Sequence, residues 1–143
     1  AAARAVGRPR GVGSVDVYVA TDAGIPDEEL LEAIDAYLQA RREISVDLQV
    51  LSPEEESVTV TVALKAAQGY TFDEAKAQAD DALRGAFTGS RLGRGVTLAE
   101  LGDLLYHLEG VENYRFTAPT ADVAASPTVL PRLGTLTISE WGA

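Results

Sequence analysis

SRLGRGVTLAELGDLLYHLEGVENYRFTAPTADVAASPTVLPRLGTLTI, residues Ser90 to Ile138, is the stretch whose reading decides the fold. Gly89, Gly93 and Gly95 mark a turn ahead of Thr97-Leu98-Ala99-Glu100. That tetrapeptide is a capping box: threonine and glutamate each satisfy an orphan N–H group at the start of a helix. Leu98, Leu101, Leu105 and Leu108 then recur at helical spacing, which predicts a helix over 97–109, and Gly110 supplies its stop. Residues 111–117, VENYRFT, predict a strand ended by Ala118-Pro119. Pro127 and Pro131 punctuate a loop, and LGTLTI, 133–138, predicts a last strand.

The same reading carries upstream. Residues 58–64, VTVTVAL, alternate with strict period two and are β-branched almost throughout, the strongest strand signal in the chain. Thr71-Phe72-Asp73-Glu74 is a second capping box, opening a helix to about residue 88 whose buried stripe is Phe72, Ala75, Ala79, Leu83, Ala86 and Phe87. Further back, 15–21 and 45–51 alternate as strands. Between them, Pro26 opens a helix over 26–42 with Asp27, Glu28 and Glu29 at its positive end and Arg41-Arg42 at its negative end. Leu30, Leu31, Ile34, Tyr37 and Leu38 form its apolar stripe.

Ser52-Pro53 and the run Glu54-Glu55-Glu56 read as a break, since proline limits strand pairing and glutamates resist burial. The expected organisation is therefore α+β, in two small subdomains, each a mostly antiparallel sheet with helices packed on one face. Residues 1–13 read as a linker or the tail of a preceding region, 14–55 as a strand–helix–strand subdomain, and 56–143 as a C-terminal α+β subdomain.

A chain of 143 residues buries enough surface to fold without metal or disulfide. Twelve basic against 22 acidic residues give a net charge of -10, which disfavours nucleic-acid and anionic-membrane surfaces. With no cysteine, disulfides and thiolate metal sites are excluded, and no apolar run approaches the ~20 residues of a membrane span. The chain has no methionine even at position 1, which suggests a fragment or a processed product.

Reaction chemistry finds little purchase. Gly11-Val12-Gly13-Ser14 precedes a strand instead of following one, so it reads as a lead-in and not as a dinucleotide loop. Acidic residues 27–29, 32 and 35 diverge along one helix and read as a solvated face, not a cation site. Asp80 and Asp81 point about 100° apart on a helix, which disfavours paired acid/base work. His107 is the lone histidine, with no second histidine for a zinc pair and no serine in a nucleophile elbow. The turn from Arg91 to Arg94 lacks the lysine and hydroxyl order of a phosphate loop, and a plain loop with two solvated arginines is the preferred reading. No catalytic, cofactor-binding or metal-binding residue is expected, and no cofactor.

In order and spacing these landmarks resemble the C-terminal part of the baseplate J-like proteins of contractile phage tails and related injection machines. The match runs from Gly11-Val12-Gly13-Ser14-Val15-Asp16-Val17 through the helix ending in Arg41-Arg42 and the strand Val46 to Pro53. It continues with Arg91-Leu92-Gly93 and Val96, the helix into Gly110-Val111, then Pro119, Ala121-Asp122, and Leu130-Pro131-Arg132-Leu133-Gly134 before the last strand. Arg94 departs from the family's second glycine, Glu140 to Ala143 match nothing in the pattern, and members are usually longer.

The resemblance implies a structural component of a baseplate wedge, acting through contacts with other wedge proteins and with copies of itself. It would reside in the baseplate of a virion or tail-like particle, assembled in the bacterial cytoplasm. Tyr114, Arg115, Asp122, Leu130 and Trp141 are the candidate contact residues, since interface energy concentrates in a few aromatic and arginine anchors. For Tyr114 the competing reading, core packing, stands level by strand alternation. Rival function classes are a small-ligand-binding or regulatory module, which requires a concave pocket, and an enzyme.

Overall fold

The computed structural model describes residues 1–141. Among these it places strands β1 (Ala2–Gly7), β2 (Ser14–Ala20), β3 (Asp47–Leu51), β4 (Glu54–Ala66), β5 (Val111–Ala118) and β6 (Val129–Glu140). The α-helices are α1 (Glu28–Gln39), α2 (Phe72–Ala86) and α3 (Leu98–Tyr106), with a 3-10 turn at Gly89–Arg91. The fold is α+β, with two three-stranded sheets ordered β1-β2-β3 and β5-β4-β6. Two compact units result: residues 1–56, 88–94 and 125–130, and residues 57–87, 95–124 and 131–143.

The second unit is built on β4. Val58, Val60, Val62 and Leu64 point to one face and are buried, as their period-two spacing dictates. β5 pairs antiparallel with β4, setting Leu64 opposite Tyr114 and Val62 opposite Phe116. On β4's other side runs β6. The Glu54 N–H donates to the Thr128 oxygen at 3.0 Å, and the Trp141 N–H donates to the Leu64 oxygen at 2.8 Å, so β6 is parallel to β4 and the sheet is mixed. α2 lays Ala75, Ala79 and Leu83, spaced by four, into the core, and α3 adds Leu101 and Leu105. Each such leucine contributes about 1.5–3 kcal/mol on burial. Both helices start at predicted caps. Thr71 and Glu74 close the full reciprocal box, and the Thr97 hydroxyl accepts from the Glu100 N–H at 3.1 Å.

The first unit is thinner. β1 pairs antiparallel with β2, and β2 pairs parallel with β3, Ser14 opposite Asp47. Its apolar cluster is Ala20, Leu92 and Leu130, with Ala2 and Tyr18 against them. Leu92 and Leu130 come from the two distant segments 88–94 and 125–130, and burying them is what recruits those segments to this unit.

Several elements differ from their sequence reading. Residues 2–7, read as a linker or the tail of a preceding region, form an edge strand: the Arg4 guanidinium donates to the Leu92 carbonyl at 3.0 Å and β2 offers its open edge. Glu54–Glu56, read as part of a break, begin β4, since their side chains stay exposed while the backbone pairs. β6 starts at Val129, which shortens the expected loop. α1 is shorter than 26–42. Pro26 lies ahead of the helix, and Asp27 is the cap, accepting from the Leu30 N–H at 2.8 Å. None of α1's apolar stripe is buried. Arg91, read as solvated, is only 2% exposed, held between Gly89 and Leu92 in the 3-10 turn.

Candidate contact surface

Strand alternation sorts the sequence-derived candidates on β5. Tyr114 and Phe116 turn inward, 5.4 Å apart between ring centroids and edge to face, and both pack on the second unit's core. Tyr114 lies over Gly102, where an added Cβ would come within 2.2 Å of its hydroxyl oxygen. Tyr114 is thus chiefly a packing residue. Arg115 turns outward and is exposed. Its guanidinium carbon sits 4.8 Å from the centre of the Trp141 ring, in cation–π geometry. The hydrogen bond from the Trp141 N–H to Leu64 fixes that tryptophan's backbone just past β6. A half-exposed indole and an arginine therefore form one preset platform.

Asp122 does different work. Its Oδ1 accepts from the Leu98 N–H at 2.8 Å, satisfying a donor in the first turn of α3. Beside it, Val123 and Val96 exchange backbone hydrogen bonds of 2.8 and 2.9 Å. The Pro119-x-x-Asp122 pattern is thereby explained as a clasp on a helix start. Leu130 is fully buried with Leu92 and Ala20, so its side chain is occupied inside the first unit. The structure brings Arg115 and Trp141 together and leaves Asp122 on separate structural duty.

His107 caps the end of α3, its Nδ1 2.8 Å from the Asp103 carbonyl oxygen and exposed to solvent. Three surface hollows among the described residues are broadly open to solvent. One follows α2 past Asp73, Lys76, Ala77, Asp80 and Asp81, one lies by Arg84, Phe87, Arg132 and Leu133, and one is lined by Asp27, Glu29, Leu30 and Ala33 of α1.

Sequence reasoning passed over one end of the first unit. The β1–β2 turn and the α1–β3 turn lie side by side there. The Gly13 oxygen accepts from the Asp47 N–H at 2.8 Å, and an added Cβ on Gly13 would lie 3.2 Å from the Ser45 oxygen. Each turn carries an outward apolar side chain, Val12 at 88% and Ile44 at 99% exposure. Arginines surround them. Arg10 pairs with Asp16, which is buried, and with Asp47. Arg42 holds the α1–β3 turn by donating to the oxygens of Glu43, Ile44 and Val46 at 3.0, 3.3 and 2.9 Å. Arg41 stacks on Tyr37 at 3.7 Å. The available signal was an apolar residue set alone in each glycine- or charge-rich turn, Gly11-Val12-Gly13 and Glu43-Ile44-Ser45.

Comparison with known proteins adds two findings. Residues 58–139 match the family model described as the baseplate J-like protein C-terminal domain. The chain is also similar in fold to a chain in the cryo-EM structure of the anti-feeding prophage baseplate, 6-fold symmetrised, with a TM-score of 0.62 at 14% identity. That alignment covers 88% of this chain and 29% of the other, so the chain spans less than a third of the length of the protein it resembles. No curated protein matches the sequence.

Proposed function

We propose a function that proceeds from one premise: the chain belongs to the baseplate J-like protein C-terminal domain family. It serves as a structural part of a contractile-tail or injection-particle baseplate and works through protein–protein contacts, without catalysis. The observation that carries this reading is the family match over 58–139, which takes in the second unit's whole buried core from Val58 to Ile138. The fold likeness to a prophage baseplate chain supports it independently.

More finely, the chain sits in the baseplate wedge and meets other wedge proteins and copies of itself, in particles assembled in the bacterial cytoplasm. The Arg115–Trp141 platform is the contact we assign to a wedge neighbour. Arginine and tryptophan are the types in which interface energy concentrates, and a stacked pair loses less conformational entropy on docking than two free side chains. Asp122 serves that contact indirectly, by holding the segment after β5 on α3.

The test mixes Arg115→Ala and Trp141→Ala chains with the other baseplate proteins. Each is expected to weaken incorporation about tenfold, as loss of an anchor near 1–2 kcal/mol implies, with thermal unfolding of the free chain nearly unchanged. Undiminished incorporation of both variants would remove the platform from the contact. Particles that complete their baseplates without the chain would refute the role itself.

A further inference from the structure

We propose that the first unit is a head-to-tail adaptor for a second copy of this chain: the arginine-rimmed end bearing Val12 and Ile44 docks onto the acidic start of α1 in the next copy. The inference deepens the assembly role proposed above and rests on it for its setting. The surfaces that carry it lie within one unit.

The two faces are opposite in sign and lie at opposite ends. α1 crosses over from the end of β2 to the start of β3, which run parallel, so its two termini lie at opposite ends of the sheet. At about 1.5 Å per residue its 12 residues separate those ends by about 18 Å. At the C-terminal end sit the exposed arginines 8, 10, 41 and 42, four of the 12 basic residues in a chain of net charge -10, which outnumber the exposed Glu43 and Asp47 beside them. At the N-terminal end sit Asp27, Glu28, Glu29 and Glu32, all exposed.

Shape agrees with charge. The basic end projects two apolar knobs. Ile44 at 99% exposure leaves its whole side chain in water, and no fold requirement keeps an isoleucine there. The acidic end offers the open hollow lined by Asp27, Glu29, Leu30 and Ala33, with Ile25 and Leu30 partly exposed to solvent nearby. Burying Ile44 in that hollow would bring the rim arginines against the carboxylates. Because the docking patches differ, the contact is heterologous and propagates from copy to copy until the rotation closes a ring.

Sedimentation equilibrium of the chain in low salt, up to about 1 mM, where even a Kd of that order populates oligomers, reads the contact. Wild type is expected to associate, and high salt to reverse it as the screening length shrinks from about 10 Å to about 3 Å. Ile44→Glu alters only the basic end and Glu28→Lys/Glu29→Lys only the acidic end. Each should weaken self-association at least tenfold while keeping the native circular dichroism spectrum. Their equimolar mixture should form a species of two chains and nothing larger, because a single intact basic end meets a single intact acidic end. Val12→Glu serves as the second basic-end variant. A monomeric wild type at the highest concentration, oligomers that survive both changes, or a mixture that stays monomeric would overturn the proposal. Failure of the two readings is separable. Normal entry of Ile44→Glu into baseplates would sink this surface and leave the role standing, whereas head-to-tail pairing by a chain that never enters baseplates would do the reverse.

Discussion

An added Cβ at Gly89 would lie 1.5 Å from the Thr21 carbonyl oxygen and 2.5 Å from its carbon, so two backbones within the first unit touch where only hydrogen fits. Gly85, inside α2, would meet nothing within 4 Å. Gly89→Ala is therefore expected to cost about 2–3 kcal/mol, the upper part of the range of forced overpacking. Gly85→Ala should gain about 0.5–1 kcal/mol from helix propensity. Urea denaturation of both variants checks the pair, and equal effects would show that the close approach at Gly89 relaxes freely. A second residue-scale expectation concerns Tyr70, whose hydroxyl donates to Glu109 Oε2 at 3.1 Å. That hydrogen bond, then the charge of Glu109, hold the phenol above its ordinary value. Because the folded pKa is raised, its small stabilisation is complete below about pH 10 and is lost as pH rises through the folded value. In an ultraviolet titration Tyr70 should ionise late, and Glu109→Gln should bring it back towards 10; an unchanged titration curve would count against the bond.

Helices divide cleanly by how locally they are specified. α2 was legible because everything it needs lies within its own sequence: a cap at Thr71, a box partner at Glu74, and Ala75, Ala79 and Leu83 at one spacing. α3 was legible in part. Its leucines and Thr97 announce it, but Asp122, which satisfies the Leu98 N–H, stands 24 residues away and shows no helical pattern of its own. That distance is why Asp122 read as a contact candidate from sequence. Thr97→Ala and Asp122→Ala should each lower stability by about 1 kcal/mol, the usual worth of a helix cap. Asp122→Asn, which keeps an acceptor oxygen, should lose much less. Chemical denaturation measures all three, and full loss in Asp122→Asn would assign the effect to charge near the helix end instead. β1 and the start of β4 failed to show for a related reason. Ala2–Gly7 and Glu54–Glu56 carry weak strand propensity, and long-range pairing overrides it.

At the scale of the chain, the α+β plan followed from the order of periodic segments, whereas nothing in that order placed residues 88–94 and 125–130 with the first unit. Leu92 and Leu130 each look like an ordinary leucine in a loop, and only three-dimensional contact joins them to Ala20. The resulting cores are unequal. Among the described residues, the second unit's apolar cluster holds thirteen buried residues and the first unit's holds three. α1, whose stripe of Leu30, Leu31, Ile34, Tyr37 and Leu38 reads as core-facing, contributes no buried residue at all. An amphipathic pattern records what a helix can bury, not that its own chain supplies the cover. Protection against amide exchange tracks buried apolar contacts, so α1 should exchange by openings of low free energy while α2 and β4 exchange only near global unfolding. Hydrogen–deuterium exchange of the free chain tests this directly. Comparable protection of α1 and α2 would mean that the first unit derives its stability from something other than apolar burial. Repeating the exchange at concentrations where copies associate should then slow α1's first turns, where the acidic face lies, and leave α2 unchanged.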